Sequence, residues 1–242
     1  MPLPKIEYPI TEIEVPSMKK KFSFRPMLVK EEKILLMAKV SEDENDIFGA
    51  VRQVVNNCCV DTSLDINKLA IFDLEYLFLK IRALSISETT EVAYRDNEDN
   101  KVYDFTINLS EIKVDYPKKV DNTIKISDTS GFTLRYPPAS LYSDKDFLNL
   151  ESNKVFDALV IKCIDKIFDG ENTYDLSLYK EEDVKEFVEG LPVKIYDQVR
   201  EFFTKVPAMK YEIKYKNSNG TDRTIVLRNL TDFFTLRWAI TH

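Results

Sequence analysis

Apolar and polar positions change period several times along the chain, and each change marks an element boundary. Residues Ile6 to Val15 alternate, with Ile10, Glu12 and Glu14 set against Ile13 and Val15, and Lys21 to Arg25 alternate again after a Pro16-Ser17 turn. Roughly the first 29 residues therefore predict a β-hairpin. Pro26 ends its second strand, because proline cannot donate to a ladder. From Lys30 the period lengthens: Ile34, Leu35 and Ala38, with Met37 at the edge, fall on one helical stripe behind Glu31 and Glu32. Acids in a first turn suit the positive end of a helix dipole. A second helix is predicted from Asp43–Asp46 through "IFGAVRQVVNNCCV", where Ile47, Val51, Val54, Val55 and Cys58 keep helical spacing. The run "KLAIFDLEYLFLKIRALSI" is apolar on nearly every side and predicts a central helix. Its charges, Asp73, Glu75, Lys80 and Arg82, must then reach a rim or a partner.

Beyond Glu88 the pattern returns to strands, "TTEVAYRD", "KVYDFTINLS", "TIKIS" and "GFTLRYPP", with turn chemistry at Asn97–Asn100 and Asp128–Gly131. Residues 140–205 read as helices again, including "VFDALVIKCIDKIFDG" with Gly170 as its C-terminal cap, then "EEDVKEFVEG" and "VKIYDQVREFFTKVP". "MKYEIKYKNSNGTDRTIVLRNL" is a hairpin signal around "NSNG", and Thr231 to His242 closes the chain as a short helix or coil. The predicted class is α+β: an N-terminal β-hairpin packed on a helical bundle, a mid-chain antiparallel β region, further helices and a C-terminal β-hairpin. The two hairpins "EVAYRDNEDNKVYDFTINL" and "YEIKYKNSNGTDRTIVLRNL" echo each other around a polar turn. No Pro- or Ser-rich linker separates parts of the chain; the least costly division falls near residue 140, giving 1–139 and 140–242.

Composition narrows the chemistry. At 242 residues, 44% hydrophobic and 31% charged, the chain has the profile of an ordinary globular protein, and no apolar run approaches the ~18 residues that span a bilayer. Met-Pro-Leu-Pro-Lys at the start lacks the pattern of a secretory signal, so cytosolic synthesis is expected. A net charge of −7 forces no cationic face, which argues for protein partners and against nucleic acid. Cys58, Cys59 and Cys163 form neither a disulfide framework nor a CxxC pair and read as small buried hydrophobes. The single histidine is His242, which removes triads and histidine-ligated zinc. Glycine stands only at 49, 131, 170, 190 and 220, so no phosphate-cradling loop can be written.

One enzyme-like order is present. Asp104, Glu111 and Lys113 match the acid, then acid-x-lysine, sequence of metal-dependent nucleases, in which two carboxylates hold Mg²⁺ and the lysine steadies the attacking water. In a strand Glu111 and Lys113 would share a face. The plainer reading is a solvated strand face.

The run "YPITEIEVPSMKKKFSFRPMLVKEEKILLMA", followed by "VRQVVNNCCV", "IFDLEYLFLKIRALSI" and a terminal "LTDFF", resembles the T-even-type bacteriophage baseplate hub or hub-assembly subunits of contractile tails. The resemblance implies a non-enzymatic tail protein with no catalytic residue, metal or cofactor. It also implies partners among other baseplate hub or tail proteins, the tape measure protein being one candidate, with no nucleic acid and no membrane. Two descriptions follow from it: a part of the central hub, or a transient assembly chaperone that is not retained in the virion. The expected location is the host cytoplasm during assembly and the virion tail baseplate on retention. Arg25, Pro26, Glu31, Glu32, Lys33, Phe72, Asp73, Glu75 and Arg82 carry the matching motifs. Physically, Arg25 is placed to pair with Glu31, Glu32 or Asp73 and so to tie the hairpin to the first and central helices. Arg25, Glu31, Glu32, Asp73 and Arg82 are therefore candidates for fixing register or meeting a partner.

Overall fold

The computed structural model describes residues 7–41, 43–117 and 121–233. The segment read for a targeting signal, residues 1–5, and the stretch after Phe233, with His242, lie outside them. The chain opens with a hairpin, β1 (Thr11–Val15) and β2 (Lys20–Phe24), then three helices, α1 (Val29–Ser41), α2 (Glu44–Cys58) and α3 (Ile71–Ser85). A second hairpin, β3 (Thr89–Arg95) and β4 (Val102–Asn108), leads through a 3-10 turn, Leu109–Glu111, to the short β5 (Lys113–Asp115). Next come β6 (Thr123–Lys125), β7 (Ser130–Leu134), α4 (Lys145–Leu148), α5 (Ser152–Cys163), β8 (Ile164–Asp169) and β9 (Asn172–Asp175). Helices α6 (Glu181–Glu189) and α7 (Val193–Thr204) precede the last hairpin, β10 (Ala208–Lys216) and β11 (Asp222–Leu227). The architecture is α+β with small antiparallel sheets.

Contacts divide the chain into two compact units, one holding the residues up to Asp115 and those from Ala208, the other Tyr116–Pro207. Residue 140 falls inside the second unit, between β7 and β8, which pair from Ser130↔Asp169 to Leu134↔Ile164.

In the first unit, alternation does what strand geometry requires: Ile13, Val15, Phe22 and Phe24 are buried while Glu12 and Glu14 face water. Helix α2 starts on an Asp43 N-cap and buries Val51, Val54, Val55 and Cys58, as its spacing predicts. Helix α3 is central, with Leu74, Leu77, Phe78, Leu79 and Ile81 at most 1% exposed. Strand β10 lies between β11 and β5, so the end of the first long segment is closed by the C-terminal hairpin. Helix α1 departs from prediction at Met37, which is 75% exposed. Its buried side is set by Glu31 and Leu35, flanked by half-buried Ile34 and Ala38, and Met37 lies a third of a turn away.

The second unit builds its core from Ile124, Phe132 and Leu134 of the sheet β6-β7-β8-β9 against Val160, Val184, Val188, Val199 and Phe202 of α5, α6 and α7. Here the long helix predicted through Gly170 is overturned. Helix α5 stops at Cys163, and Ile164–Asp169 is strand β8, hydrogen-bonded to β7 on one side and β9 on the other. Gly170 has φ +60° and forms the turn between paired Asp169 and Asn172. A left-handed glycine at the first central position is the chemistry of a type II′ hairpin, not a helix cap. Lining up Ile164 and Ile167 on a helical stripe missed that they lie opposite Leu134 and Phe132 of β7.

Candidate functional site at the strand to helix junction

Arg25 follows the last residue of β2, and its backbone N–H donates to the Cys58 carbonyl at 2.9 Å while the Val60 N–H donates to Ser23 O at 2.9 Å. These bonds fasten the end of α2 along β2. The Arg25 side chain then gathers the neighbouring elements. Its Nη2 donates to Glu31 Oε1 at 3.0 Å and to the Asn57 carbonyl at 2.8 Å, and its Nη1 donates to Glu31 Oε2 at 3.2 Å and to the Pro26 carbonyl at 2.9 Å. Glu31 is fully buried. It also accepts from the Leu28 N–H at 2.9 Å, the reach of a third-position glutamate back to the residue that starts its helix.

Electrostatics follow from this geometry. The Glu31 hydrogen bond holds the Arg25 guanidinium above its ordinary value. Burial pushes the Glu31 carboxyl up, but the Arg25 hydrogen bond and the Leu28 N–H outweigh it and leave the group below the usual range. A fork-to-fork pair of this kind fixes orientation as well as distance. Breaking one side of a dry pair typically costs about 3–5 kcal/mol, because the other charge is stranded.

The remaining candidates take separate places. Glu32 is exposed and Asp73 is buried, but Asp73 answers Ser17 instead of Arg25. Its Oδ1 accepts from the Ser17 N–H at 2.9 Å and its Oδ2 from the Ser17 hydroxyl. The turn of the first hairpin is thus pinned to α3 by Asp73, and the foot of β2 to α1 and α2 by Arg25. Glu75 accepts from the Leu230 N–H at 3.3 Å, and Lys80 donates to the carbonyls of Leu109 at 3.1 Å and Ser110 at 2.8 Å. Arg82 is buried, with Nη2 3.4 Å from the Thr90 hydroxyl and with Nε and Nη1 lacking hydrogen-bond partners among the described residues. Burial pushes its guanidinium down from the ordinary value.

A second polar constellation was visible in the sequence only as an echo between two hairpins. The Asp96–Asn100 turn of β3–β4 meets the Asn217–Gly220 turn of β10–β11. Asp96, fully buried, accepts from the Tyr215 hydroxyl and lies 3.3 Å from Arg223 Nε. Glu98 accepts from Asn217 Nδ2 at 3.1 Å and from the Thr221 hydroxyl at 3.0 Å, and Asp99 accepts from the Ser218 N–H at 3.0 Å. Both turns open on a buried Asx residue whose side-chain oxygen accepts from the N–H two residues on, Asp96 from Glu98 at 2.7 Å and Asn217 from Asn219 at 3.1 Å.

The nuclease order does not assemble as a strand face. Asp104 lies in β4, whereas Glu111 ends the 3-10 turn that Lys80 holds and Lys113 starts β5. Among the described residues no group of three or more His, Cys, Asp or Glu could hold a metal ion, and no helix is long and apolar enough to cross a membrane. In the second unit a groove of about 530 Å³ runs between α5, α6 and α7, with an apolar floor that includes Ala158, Ile161 and Val188. Lys154, Glu181, Lys185 and Glu189 mix both signs around it, so it selects for neither charge.

Comparison with the curated proteins and with the solved structures gives no significant match. The family model described as T4 bacteriophage base plate protein matches residues 7–235, which takes in both units and the Arg25–Glu31 junction. On that match the chain belongs to the T4-type bacteriophage baseplate protein family.

Proposed function

We propose that the chain acts in the central hub of the baseplate, as a part of it or in the steps that build it, through protein contacts and without catalysis. The observation that carries this reading is the engagement of its buried motif carboxylates within the fold. Arg25 and Glu31 hold each other, Asp73 holds Ser17, and Glu75 accepts from the Leu230 N–H. Side chains committed in this way position elements and do not turn over a substrate. The partners are other hub or tail proteins, with the tape measure protein as one candidate, met in the host cytoplasm during assembly.

Quantitative mass spectrometry of purified virions alongside infected-cell extracts tests the reading. Peptides at a fixed copy number per particle support a resident part of the hub. Presence in extracts on baseplate intermediates, with absence from finished particles, makes the chain a transient assembly chaperone. Absence from both virions and intermediates overturns the proposal.

A further inference from the structure

Helix α1 carries two opposite faces that a composition average hides. Glu31 and Leu35 point into the protein, while the outward side presents Val29, Leu36 and Val40 at 67, 48 and 84% exposure. With Lys33, which is also exposed, these residues are spaced four, three and four apart. That is the spacing of a two-stranded coiled-coil seam, with lysine at one core position. Exposed apolar side chains scattered singly need no explanation, but a row of them along one helix seam marks a docking surface.

We propose that this face pairs with the same face of a second copy of the chain, the two α1 helices lying antiparallel about a twofold axis. The flanking charges choose this occupant and this direction. A parallel pair would set Lys33 against Lys33, which like-charge repulsion opposes. An antiparallel pair centred between Lys33 and Leu36 sets Val29 against Val40 of the second copy and Lys33 against its Leu36, twice each by symmetry. The Lys33 methylenes cover that leucine while the ammonium reaches water. Along one edge Glu32 then faces Lys39 of the second copy, again twice, and along the other Lys30 lies beside Met37. Lys39 is engaged within its own chain, and its three ammonium donors leave room for a second acceptor. Helix α1 is only 13 residues long, so the association is weak at the concentration of a free protein and is strengthened where copies are held close. The inference rests on the geometry of α1 and not on the baseplate reading.

Sedimentation equilibrium of the purified full chain from micromolar to near-millimolar concentration tests it. A monomer–dimer equilibrium is expected, abolished by Leu36→Glu and by Val40→Glu, both at exposed positions whose folding is checked by circular dichroism. Glu32→Lys and Lys39→Glu, each alone, should weaken the dimer about tenfold, since two symmetry-related ion pairs become like-charge pairs. Mixing these two variants, or combining them in one chain, should restore it. A chain that stays monomeric throughout, or a dimer indifferent to Leu36→Glu or to the charge exchanges, overturns the proposal.

Discussion

Glu31 is fully buried and is gripped by two nitrogens of Arg25, at 3.0 and 3.2 Å, across the corner where the first hairpin becomes the first helix. The same guanidinium holds the last turn of α2 through the Asn57 carbonyl. One side chain therefore sets the register of a strand and two helices.

Arg25→Ala strands the Glu31 carboxylate and should destabilise the protein by about 3–5 kcal/mol. Arg25→Met with Glu31→Leu removes both charges and should recover most of that loss. Urea unfolding of Arg25→Met, Glu31→Leu and the double variant measures the coupling, and additive losses would show that the pair is not dry.

Acid should loosen the clamp between the two hairpin turns. The Tyr215 hydroxyl, with the Glu98 N–H and Arg223, holds Asp96 below the usual carboxylate range. Burial pushes Asp99 up, but Tyr103, the Lys101 N–H and Ser218 outweigh it and depress the group. Depressed carboxyls contribute stability that is present above their unfolded values, ~4, and lost as pH falls through the folded ones. Asp73 runs the other way: burial raises its carboxyl despite the Ser17 bonds, so the protonated group favours the fold at low pH and that stability is lost as pH rises through the folded value. Unfolding midpoints followed from pH 7 to pH 3 should fall below about pH 4. They should fall less in Asp99→Asn and more steeply in Asp73→Asn.

Gly131 and Gly49 should respond oppositely to alanine. A Cβ on Gly131 would lie 2.3 Å from the Ile124 carbonyl oxygen and 2.6 Å from Phe168 Cζ, so β6 must move away from β7. Overpacking of this kind costs about 1–3 kcal/mol. Gly49, inside α2 with nothing within 4 Å, should gain about 0.5–1 kcal/mol as alanine. Thermal unfolding distinguishes the two signs directly.

Burial raises the Cys58 thiol to about 11 and the Cys163 thiol to about 12. Neither should react appreciably with iodoacetamide at pH 8 in the native protein, and all three cysteines should react after unfolding. Rapid native labelling of Cys163 would mean that the core of the second unit opens.

Much of this molecule was legible where local pattern and tertiary contact agree. The alternation around Ile13 and Phe22 gave the first hairpin, the helical spacing from Ile47 to Cys58 gave α2, and the all-round apolar run from Leu69 gave the central helix. The Arg25–Glu31 pair was one of three options the sequence offered. Asp73 could not be eliminated locally, because its attachment to Ser17 spans 56 residues. Strand β8 was lost because Ile164 and Ile167 fit a helical stripe as well as a strand, and only the partner β7 decides between them. The hairpin clamp joins residues 119 apart, and the echo between the two hairpins around a polar turn was its sole local trace.

Depleting the chain during infection by the phage that encodes it, with sedimentation of the tail intermediates, tests the central claim most directly. A baseplate protein acting in the hub or its construction should leave hub or baseplate intermediates stalled and no complete tails, and resupply of the chain should rescue them. Complete baseplates and infectious particles formed at the normal rate without the chain would contradict the account.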